Sequence, residues 1–189
     1  MMKRDECLKV LARHRTDEIV VPIYKSAQEW THIAPSDLNY TFVGAMGQGS
    51  SHALGLALGR PDKRVIVLDG DGSLLMNLGT LVTIASVAPK NLVHCVMENG
   101  TYETNGAVPI PGLGKMSFTA FARAAGYVGI YEISTLEDWE REIKGILHAQ
   151  GPVFVSLKTE PGGNYPEDFA RLYSLKHRDA FVQALRQKS

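Results

Sequence analysis

The sequence predicts an α/β fold, with a doubly wound, mainly parallel sheet and helices on both of its faces. Two apolar runs, residues 65–68 and 92–97, have the composition of buried strands, and one helix-length segment separates them. Such a strand–helix–strand unit crosses over right-handed, so both strands end at the same edge of a parallel sheet. The chain has 189 residues, enough to bury the core of one domain, which we expect to span residues 1–189.

The first half of the chain alternates between helical and strand-like patterns. Apolar or small residues at helical spacing predict its helices, and continuous apolar runs predict its strands. The predicted elements are a helix over 5–14, strands over 19–23 and 40–45, a helix over 47–59, a strand from Val65, a helix over 73–88 that Pro89 stops, and a strand over 92–97.

The second half begins with residues 102–115, which are rich in glycine and proline, lack periodicity and predict a loop. Ser117 and Gly126 bound a short helix, and Thr135 with Asp138 forms a capping-box pattern for another. The remaining predicted elements are strands over 127–133 and 152–158, a helix from Leu136 through Leu147, a turn over 161–164 and a terminal helix from Pro166 through Leu185.

The composition is typical of a globular protein, and its two cysteines lead us to expect a cytoplasmic location. Twenty basic and twenty acidic residues leave no net charge, and the basic residues are scattered, so we expect no nucleic-acid partner. We also expect no signal peptide and no membrane span. Cys7 and Cys95 lack metal-ligand spacing, and Cys95 lies inside an apolar strand, where a thiol behaves as a small hydrophobic group.

Two polar motifs follow neighbouring strands. Asp71 lies between glycines after the strand from Val65, and Asn99-Gly100 follows the next strand, so we expect Asp71 and Asn99 to meet. A carboxylate, an amide oxygen and a nearby backbone carbonyl suit Mg²⁺ when phosphates supply the other ligands. Asp69 competes with Asp71 for this role. The structural alternatives are a helix-capping role for Asp71 and a simple Asn-Gly turn at Asn99.

These residues resemble the diphosphate-binding, C-terminal domain of thiamine diphosphate (ThDP) enzymes. Gly70-Asp71-Gly72 through Asn99-Gly100 matches the metal motif of that family, and Gly44-Ala45-Met46-Gly47 matches its pyrimidine-contact loop. The resemblance implies the thiamine diphosphate-binding fold and a Mg²⁺ ion held by Asp71, Asn99 and the backbone carbonyl of Thr101. The diphosphate is then expected beside Gly70, Gly72 and Ser73, at a helix N-terminus.

Met46 has a separate role in this resemblance. ThDP works in a bent conformation, and in the family a bulky apolar side chain at the position of Met46 holds that bend. The carbonyl of Gly44 and the amide of Met46 are then expected to bond the aminopyrimidine edge of the cofactor. The alternative is that Met46 only fills the core.

Within the family, the nearest likeness is to the β subunit of sulfopyruvate decarboxylase and the C-terminal part of phosphonopyruvate decarboxylase. It implies a two-chain decarboxylase that acts on a small anionic 2-oxo acid such as sulfopyruvate or phosphonopyruvate. The glutamate that activates the cofactor is expected on a pyrimidine-binding α subunit, so the catalytic residue lies outside this chain. The alternatives are a carboligase or lyase of the acetolactate-synthase type, a 2-oxoacid:ferredoxin oxidoreductase subunit, and a non-catalytic ThDP-binding domain.

Two segments depart from the related decarboxylases. Residues 103–108 lack the glutamine that follows their metal loop, and Ile23-Tyr24-Lys25-Ser26 stands where they have a glycine-containing phosphate loop. The group that binds the substrate anion is therefore unassigned. Residues 47–52 only superficially resemble a dinucleotide-binding motif, because the sixth position is His52, and we expect His52 to be packed or solvated rather than catalytic.

Overall fold

The computed structural model of the chain describes residues 1–163 and 165–187, and a parallel sheet lies at the centre of this part. Its strands and those of a small hairpin are β1 (Ile19–Pro22), β2 (Val65–Gly70), β3 (Leu92–Glu98), β4 (Thr101–Tyr102), β5 (Val108–Pro109), β6 (Gly129–Ile133) and β7 (Val153–Lys158). The sheet has the order β1-β2-β3-β7-β6 with all pairs parallel, and β4 and β5 form the antiparallel hairpin. The predicted pairing of the two central strands is confirmed, because Val65 lies opposite Leu92 and Gly70 opposite Met97.

Helices cover both faces of the sheet, which confirms the predicted doubly wound α/β fold. The described helices are α1 (Arg4–His14), α2 (Lys25–Ile33), α3 (Gly49–Gly59), α4 (Asp71–Leu75), α5 (Gly79–Val87), α6 (Phe118–Ala125), α7 (Leu136–His148), α8 (Phe169–Leu172) and α9 (Leu175–Arg186). Alternate residues of β2 divide the core, with Ile66 and Leu68 in one layer and Val65 and Val67 in the other. Helices α1, α2 and α7 pack in the first layer, and α3, α5, α6 and α9 pack in the second.

The predicted strand over 40–45 is wrong. Asn39, just before it, makes a single bridge to β1, and the residues that follow have no regular structure. The chain leaves the sheet edge here because Tyr40 and Phe42 pack against Phe181 of α9. The aromatic residues that favoured a strand serve helix packing instead.

The predicted helix over 73–88 is interrupted. Residues 76–78 form turns between α4 and α5, and Asn77 donates a hydrogen bond through Nδ2 to the carbonyl of Gly47 at 3.0 Å. This contact anchors the turn to the loop before α3. Ala88, in a left-handed conformation with φ 52°, then ends α5 next to Pro89, where the sequence predicts the helix to stop.

The predicted terminal helix is also divided. Pro166 does not open it, because the first helical residue after Pro166 is Phe169, and α8 ends after four residues. Ser174 starts α9 as a new cap by accepting a hydrogen bond from the N–H of His177 at 3.1 Å. The predicted turn over 161–164 includes Asn164, which lies outside the described residues.

The predicted ends of α6 and α7 are confirmed. Ser117 accepts a hydrogen bond from the N–H of Ala120, and Gly126, with φ 108°, ends α6. Thr135 likewise accepts one from the N–H of Asp138 at the start of α7. The predicted loop over 102–115 contains the β4–β5 hairpin and a short 3₁₀ turn. In the described part of the chain, no helix combines the length and apolar character that crossing a membrane requires.

Candidate functional site

Asp71 begins α4 directly after β2, and it is only 1% exposed. Its Oδ1 accepts a hydrogen bond from the N–H of Gly72 at 2.7 Å, and its Oδ2 accepts one from the N–H of Gly100 at 2.6 Å. The carboxylate therefore links the ends of β2 and β3. Burial raises the pKa of Asp71 to about 6; the hydrogen bonds from Gly100 and Gly72 oppose the rise, and the charge of Glu98 adds to it.

Asn99 is held at both ends of its side-chain amide. Its Oδ1 accepts hydrogen bonds from the N–H of Thr101 at 2.9 Å and from the Thr101 hydroxyl at 3.1 Å. Its Nδ2 donates to Oε2 of Glu103 at 2.9 Å. Asn99 also begins the predicted turn, in which Gly100 has φ 76°.

The donor set of this turn fits Mg²⁺. Asp71 contributes a buried carboxylate, Asn99 an amide oxygen and Thr101 a backbone carbonyl, all of them hard oxygen donors. Within residues 1–163 and 165–187, no group of three or more His, Cys, Asp and Glu side chains is placed to hold a metal. A Mg²⁺ ion held by the three oxygen donors named above would take its remaining ligands from phosphate or water.

Asp69, the competing candidate, is fully buried in the sheet. Its Oδ1 accepts a hydrogen bond from the N–H of Gly70 at 2.9 Å, and its Oδ2 lies 3.5 Å from Nε2 of His94. The Nδ1 atom of His94 in turn lies 3.2 Å from the hydroxyl of Tyr127. The side chain of Asp69 points into this buried chain of contacts, so the geometry favours Asp71 as the cation ligand.

An open cleft lies beside Asp71 at the carboxyl edge of the sheet. It brings together most of the predicted site residues, namely Met46, Gly70, Asp71, Gly72, Ser73, Asn99 and Thr101. Gly44 is the exception: it lies exposed outside the lining, and its carbonyl accepts a hydrogen bond from the hydroxyl of Tyr24 at 3.4 Å. Tyr24 itself lines the cleft and has an unusual positive φ of 47°.

The ring of Tyr102 packs directly against α4 at Gly72. A Cβ atom on Gly72 would lie 2.5 Å from Cδ1 of Tyr102, so this approach requires glycine. The Ser73 hydroxyl accepts a hydrogen bond from the N–H of Gly47 at 3.0 Å. Gly72 and Ser73 lie in the first turn of α4, a helix of five residues, and the N–H of Gly72 donates to Asp71. The diphosphate position beside them stays a prediction.

A buried ionic cluster lies next to Asn99, and no pattern in the sequence predicts it. Arg4 of α1, 3% exposed, pairs with Glu29 of α2 at 2.6 Å and with Glu103 at 2.5 Å. The N–H of Gly162 also donates to Glu103, at 3.0 Å. Burial works to raise the pKa of Glu103, but the hydrogen bonds and charge of Arg4 outweigh it, and the pKa lies below its usual value.

Three further polar residues, Lys25, Ser26 and His52, differ in whether they line the cleft. Lys25 and Ser26 line it, and Lys25 forms an ion pair with Glu167. His52 lies in α3, where its Nδ1 is 2.9 Å from the hydroxyl of Tyr40, so it is packed as predicted.

Comparison with known proteins identifies the family to which the chain belongs. The model of the thiamine pyrophosphate enzyme family, C-terminal TPP binding domain, matches residues 24–157. The chain belongs to this family. The match includes β2, α4 and the Asn99 turn, and it confirms the predicted resemblance.

Curated relatives of this TPP-binding domain include decarboxylases. Phosphonopyruvate decarboxylase of Streptomyces hygroscopicus is 37% identical over 145 residues, which are 73% of this chain and 34% of that protein. Sulfopyruvate decarboxylase subunit beta of Methanococcus maripaludis is 32% identical over 190 residues, 98% of this chain and 99% of that subunit. This chain thus spans 34–42% of the phosphonopyruvate decarboxylases and the undivided sulfopyruvate decarboxylase that it matches.

Solved structures support the fold. Benzoylformate decarboxylase from Polynucleobacter necessarius matches with a TM-score of 0.71 at 22% identity, over 87% of this chain and 34% of that one. A thiamin diphosphate-dependent enzyme from Mycobacterium smegmatis matches with a TM-score of 0.68 at 23% identity, over 85% of this chain and 32% of that one. The TPP-binding domain described here therefore has the fold of ThDP-dependent enzymes.

Proposed function

We propose that residues 1–189 act as the diphosphate-binding β subunit of a two-chain, ThDP-dependent 2-oxo acid decarboxylase. The observation that carries this proposal is the bond between Oδ2 of Asp71 and the N–H of Gly100, which assembles an oxygen-rich turn at the cleft. ThDP, when bound, would accept the electrons that remain on the substrate as CO₂ leaves. The family match over residues 24–157 supports this choice of cofactor.

Each residue of the turn has a distinct part in this proposal. Asp71, the amide oxygen of Asn99 and the carbonyl of Thr101 would hold Mg²⁺, and Gly70, Gly72 and Ser73 would border the diphosphate. Met46, whose Sδ lies 3.8 Å from the hydroxyl of Thr104, would support the bent cofactor from below. The exposed Gly44 would offer its carbonyl to the pyrimidine ring.

A partner chain would complete the site. The decarboxylase subunit of M. maripaludis is itself named subunit beta, and the alignment covers nearly all of both chains. We propose a pyrimidine-binding α subunit that supplies the activating glutamate, because the acidic residues of the cleft are already engaged. Asp71 faces the turn, and Glu103 is held by Arg4. The two buried free thiols, Cys7 and Cys95, agree with a cytoplasmic location.

The substrate we propose is a small anionic 2-oxo acid, with sulfopyruvate and phosphonopyruvate as the first candidates. The names of the curated relatives support it. Carboligation is the second candidate, since acetolactate synthase 2 of Nicotiana tabacum is 43% identical over 152 residues, 71% of this chain and 21% of that enzyme. A non-catalytic ThDP-binding domain is the third.

The test is a titration of ThDP and Mg²⁺ into the chain, alone and mixed with its α partner, followed by product analysis with each 2-oxo acid. We expect tight binding only in the mixture, then CO₂ and an aldehyde. Acetolactate-type products would favour carboligation, and binding without turnover would favour the non-catalytic domain. Asp71→Ala should abolish turnover of the mixture, whereas Asp179→Ala, an exposed carboxylate on α9, serves as the control.

A further inference from the structure

Both carboxylate oxygens of Glu103 accept hydrogen bonds from other residues of the chain. Its Oε1 accepts hydrogen bonds from the N–H of Gly162 at 3.0 Å and from Nη2 of Arg4 at 3.2 Å. Its Oε2 accepts from Nη1 of Arg4 at 2.5 Å and from Nδ2 of Asn99 at 2.9 Å. The carboxylate is therefore immobilised while it contacts the amide of Asn99.

An amide has two chemically different ends, and only one of them can bind a cation. The oxygen accepts and coordinates, whereas the NH₂ group only donates. A carboxylate can only accept, so Glu103 forces the NH₂ end of Asn99 toward itself. The oxygen end then lies toward Thr101, whose N–H and hydroxyl donate to it and support the same orientation.

We propose that Glu103 is a positioning residue that fixes which end of the Asn99 amide is presented to the cation. This inference rests on the proposed Mg²⁺ role of Asn99. Arg4 supports the arrangement, because it holds Glu103 and is itself held by Glu29 through bonds of 2.9 Å and 2.6 Å. Partners of this kind behind a metal ligand typically change metal affinity by about 10–100-fold when they are removed.

The competing explanation is that Glu103 only stabilises the local fold or adds negative charge. A double-mutant cycle with Asn99→Asp separates the two, because a carboxylate at position 99 presents oxygen at both ends and needs no orientation. The probe is Mn²⁺, whose binding to the full chain and its partner, in the presence of ThDP, is followed by electron paramagnetic resonance. Glu160→Ala, which removes an exposed carboxylate just after β7, controls for charge.

We expect Glu103→Ala to weaken Mn²⁺ binding by about tenfold or more. The apparent KM for Mg²⁺ should rise while kcat at saturating Mg²⁺ stays nearly constant. Glu103→Gln should keep most of the affinity, since its amide oxygen can accept the same bond from Nδ2 of Asn99. In the Asn99→Asp background, Glu103→Ala should leave Mn²⁺ binding unchanged or tighter, because it also removes a like charge.

An equal loss of Mn²⁺ affinity in both backgrounds would overturn the proposal in favour of a structural role. Unchanged Mn²⁺ affinity in Glu103→Ala would overturn it directly. Should Asn99→Asp fail to fold or bind, a Glu103→Gln variant as weak as Glu103→Ala would overturn it as well. Failure of the proposed function looks different: the unmodified complex would then bind no Mn²⁺ with ThDP, or Asp71→Ala would bind it equally well.

Discussion

The hydroxyl of Ser73 accepts a hydrogen bond from the buried N–H of Gly47 at 3.0 Å, and so joins the start of α4 to the loop that carries Met46. Gly47 has φ 80°, and a Cβ there would lie 3.1 Å from Cβ of Asn77, so the loop packs tightly against the turn after α4. Ser73, together with Asn77, which donates to the carbonyl of Gly47, therefore holds the loop that carries Met46 against α4 and the turn after it.

We predict that Ser73→Ala lowers the free energy of unfolding by about 1–3 kcal/mol, because it leaves a buried N–H without its acceptor. It should also weaken ThDP binding, since the loop bearing Met46 loses its anchor. Thermal unfolding and calorimetric titration measure the two effects. Ser73→Thr keeps the hydroxyl and should retain most of both quantities; equal losses in Thr and Ala variants would contradict the hydrogen-bond explanation.

Gly72 and Tyr102 provide a steric prediction. Gly72→Ala would place Cβ 2.5 Å from Cδ1 of Tyr102, and we expect a loss of about 1–3 kcal/mol in the free energy of unfolding. Chemical denaturation measures this loss. Adding Tyr102→Ala to the variant removes the clash, so the second substitution should cost less in the Gly72→Ala background than alone.

Gly55→Ala in α3 is the matched control for that clash, because nothing lies within 4 Å of the added Cβ. Alanine is favoured over glycine inside a helix by about 0.5–1 kcal/mol, so this variant should be slightly more stable than the original chain. Equal destabilisation by both glycine substitutions would refute the steric explanation.

The raised pKa of Asp71 predicts how stability depends on pH. An acid with a folded-state pKa of about 6 and an ordinary value of 3.8 binds its proton more tightly when the protein is folded. Asp71 therefore contributes to the free energy of unfolding fully below pH 3.8, and this contribution is lost as the pH rises through 6. The loss amounts to about 3 kcal/mol for this difference in pKa. Unfolding free energies of the metal-free chain between pH 4 and 7, compared with those of Asp71→Asn, isolate this component. Parallel pH profiles would contradict it.

Arg4 is predicted to be important for stability. Arg4→Met leaves Glu29 and Glu103 buried without their cation, and breaking a buried pair in this way costs about 3–5 kcal/mol. Arg141→Met, whose pair with Asp138 lies on the exposed surface of α7, should change the unfolding free energy very little. Denaturant unfolding of the two variants gives the comparison, and similar values for both would show that burial of the Arg4 cluster does not matter.

Local patterns account for most of what the sequence predicts correctly. The β-branched run before Asp71 and the apolar run before Asn99 identify two adjacent parallel strands, and their ends meet as expected. The strand predicted over 40–45 is absent because Tyr40 and Phe42 pack against Phe181 of α9, a helix that is distant in the sequence. The apolar composition of a segment indicates that its side chains pack against the core, but it does not identify the element against which they pack.

The ionic cluster could not be predicted for a related reason. Arg4 and Glu103 are separated by 99 positions, and Glu103 and Gly162 by 59. No periodicity or spacing rule relates residues so far apart, and each of them alone looks like an ordinary surface or turn residue. Only the topology of the sheet, which brings α1, the Asn99 turn and the segment after β7 to one edge, makes them neighbours.

The same three-way contact sets an order of events during synthesis. The partners of Glu103 are Arg4 near the start of the chain, Asn99 and Gly162, so its set of hydrogen bonds is complete only once residue 162 has been synthesised. The chain emerges from the ribosome N-terminus first, so contacts with later segments form only after those segments have been synthesised. A nascent chain that stops after β5 carries Arg4, Asn99 and Glu103 but lacks Gly162, which donates to Oε1 of Glu103. The complete set of hydrogen bonds that holds Glu103 against Asn99 therefore forms only in the nearly finished chain.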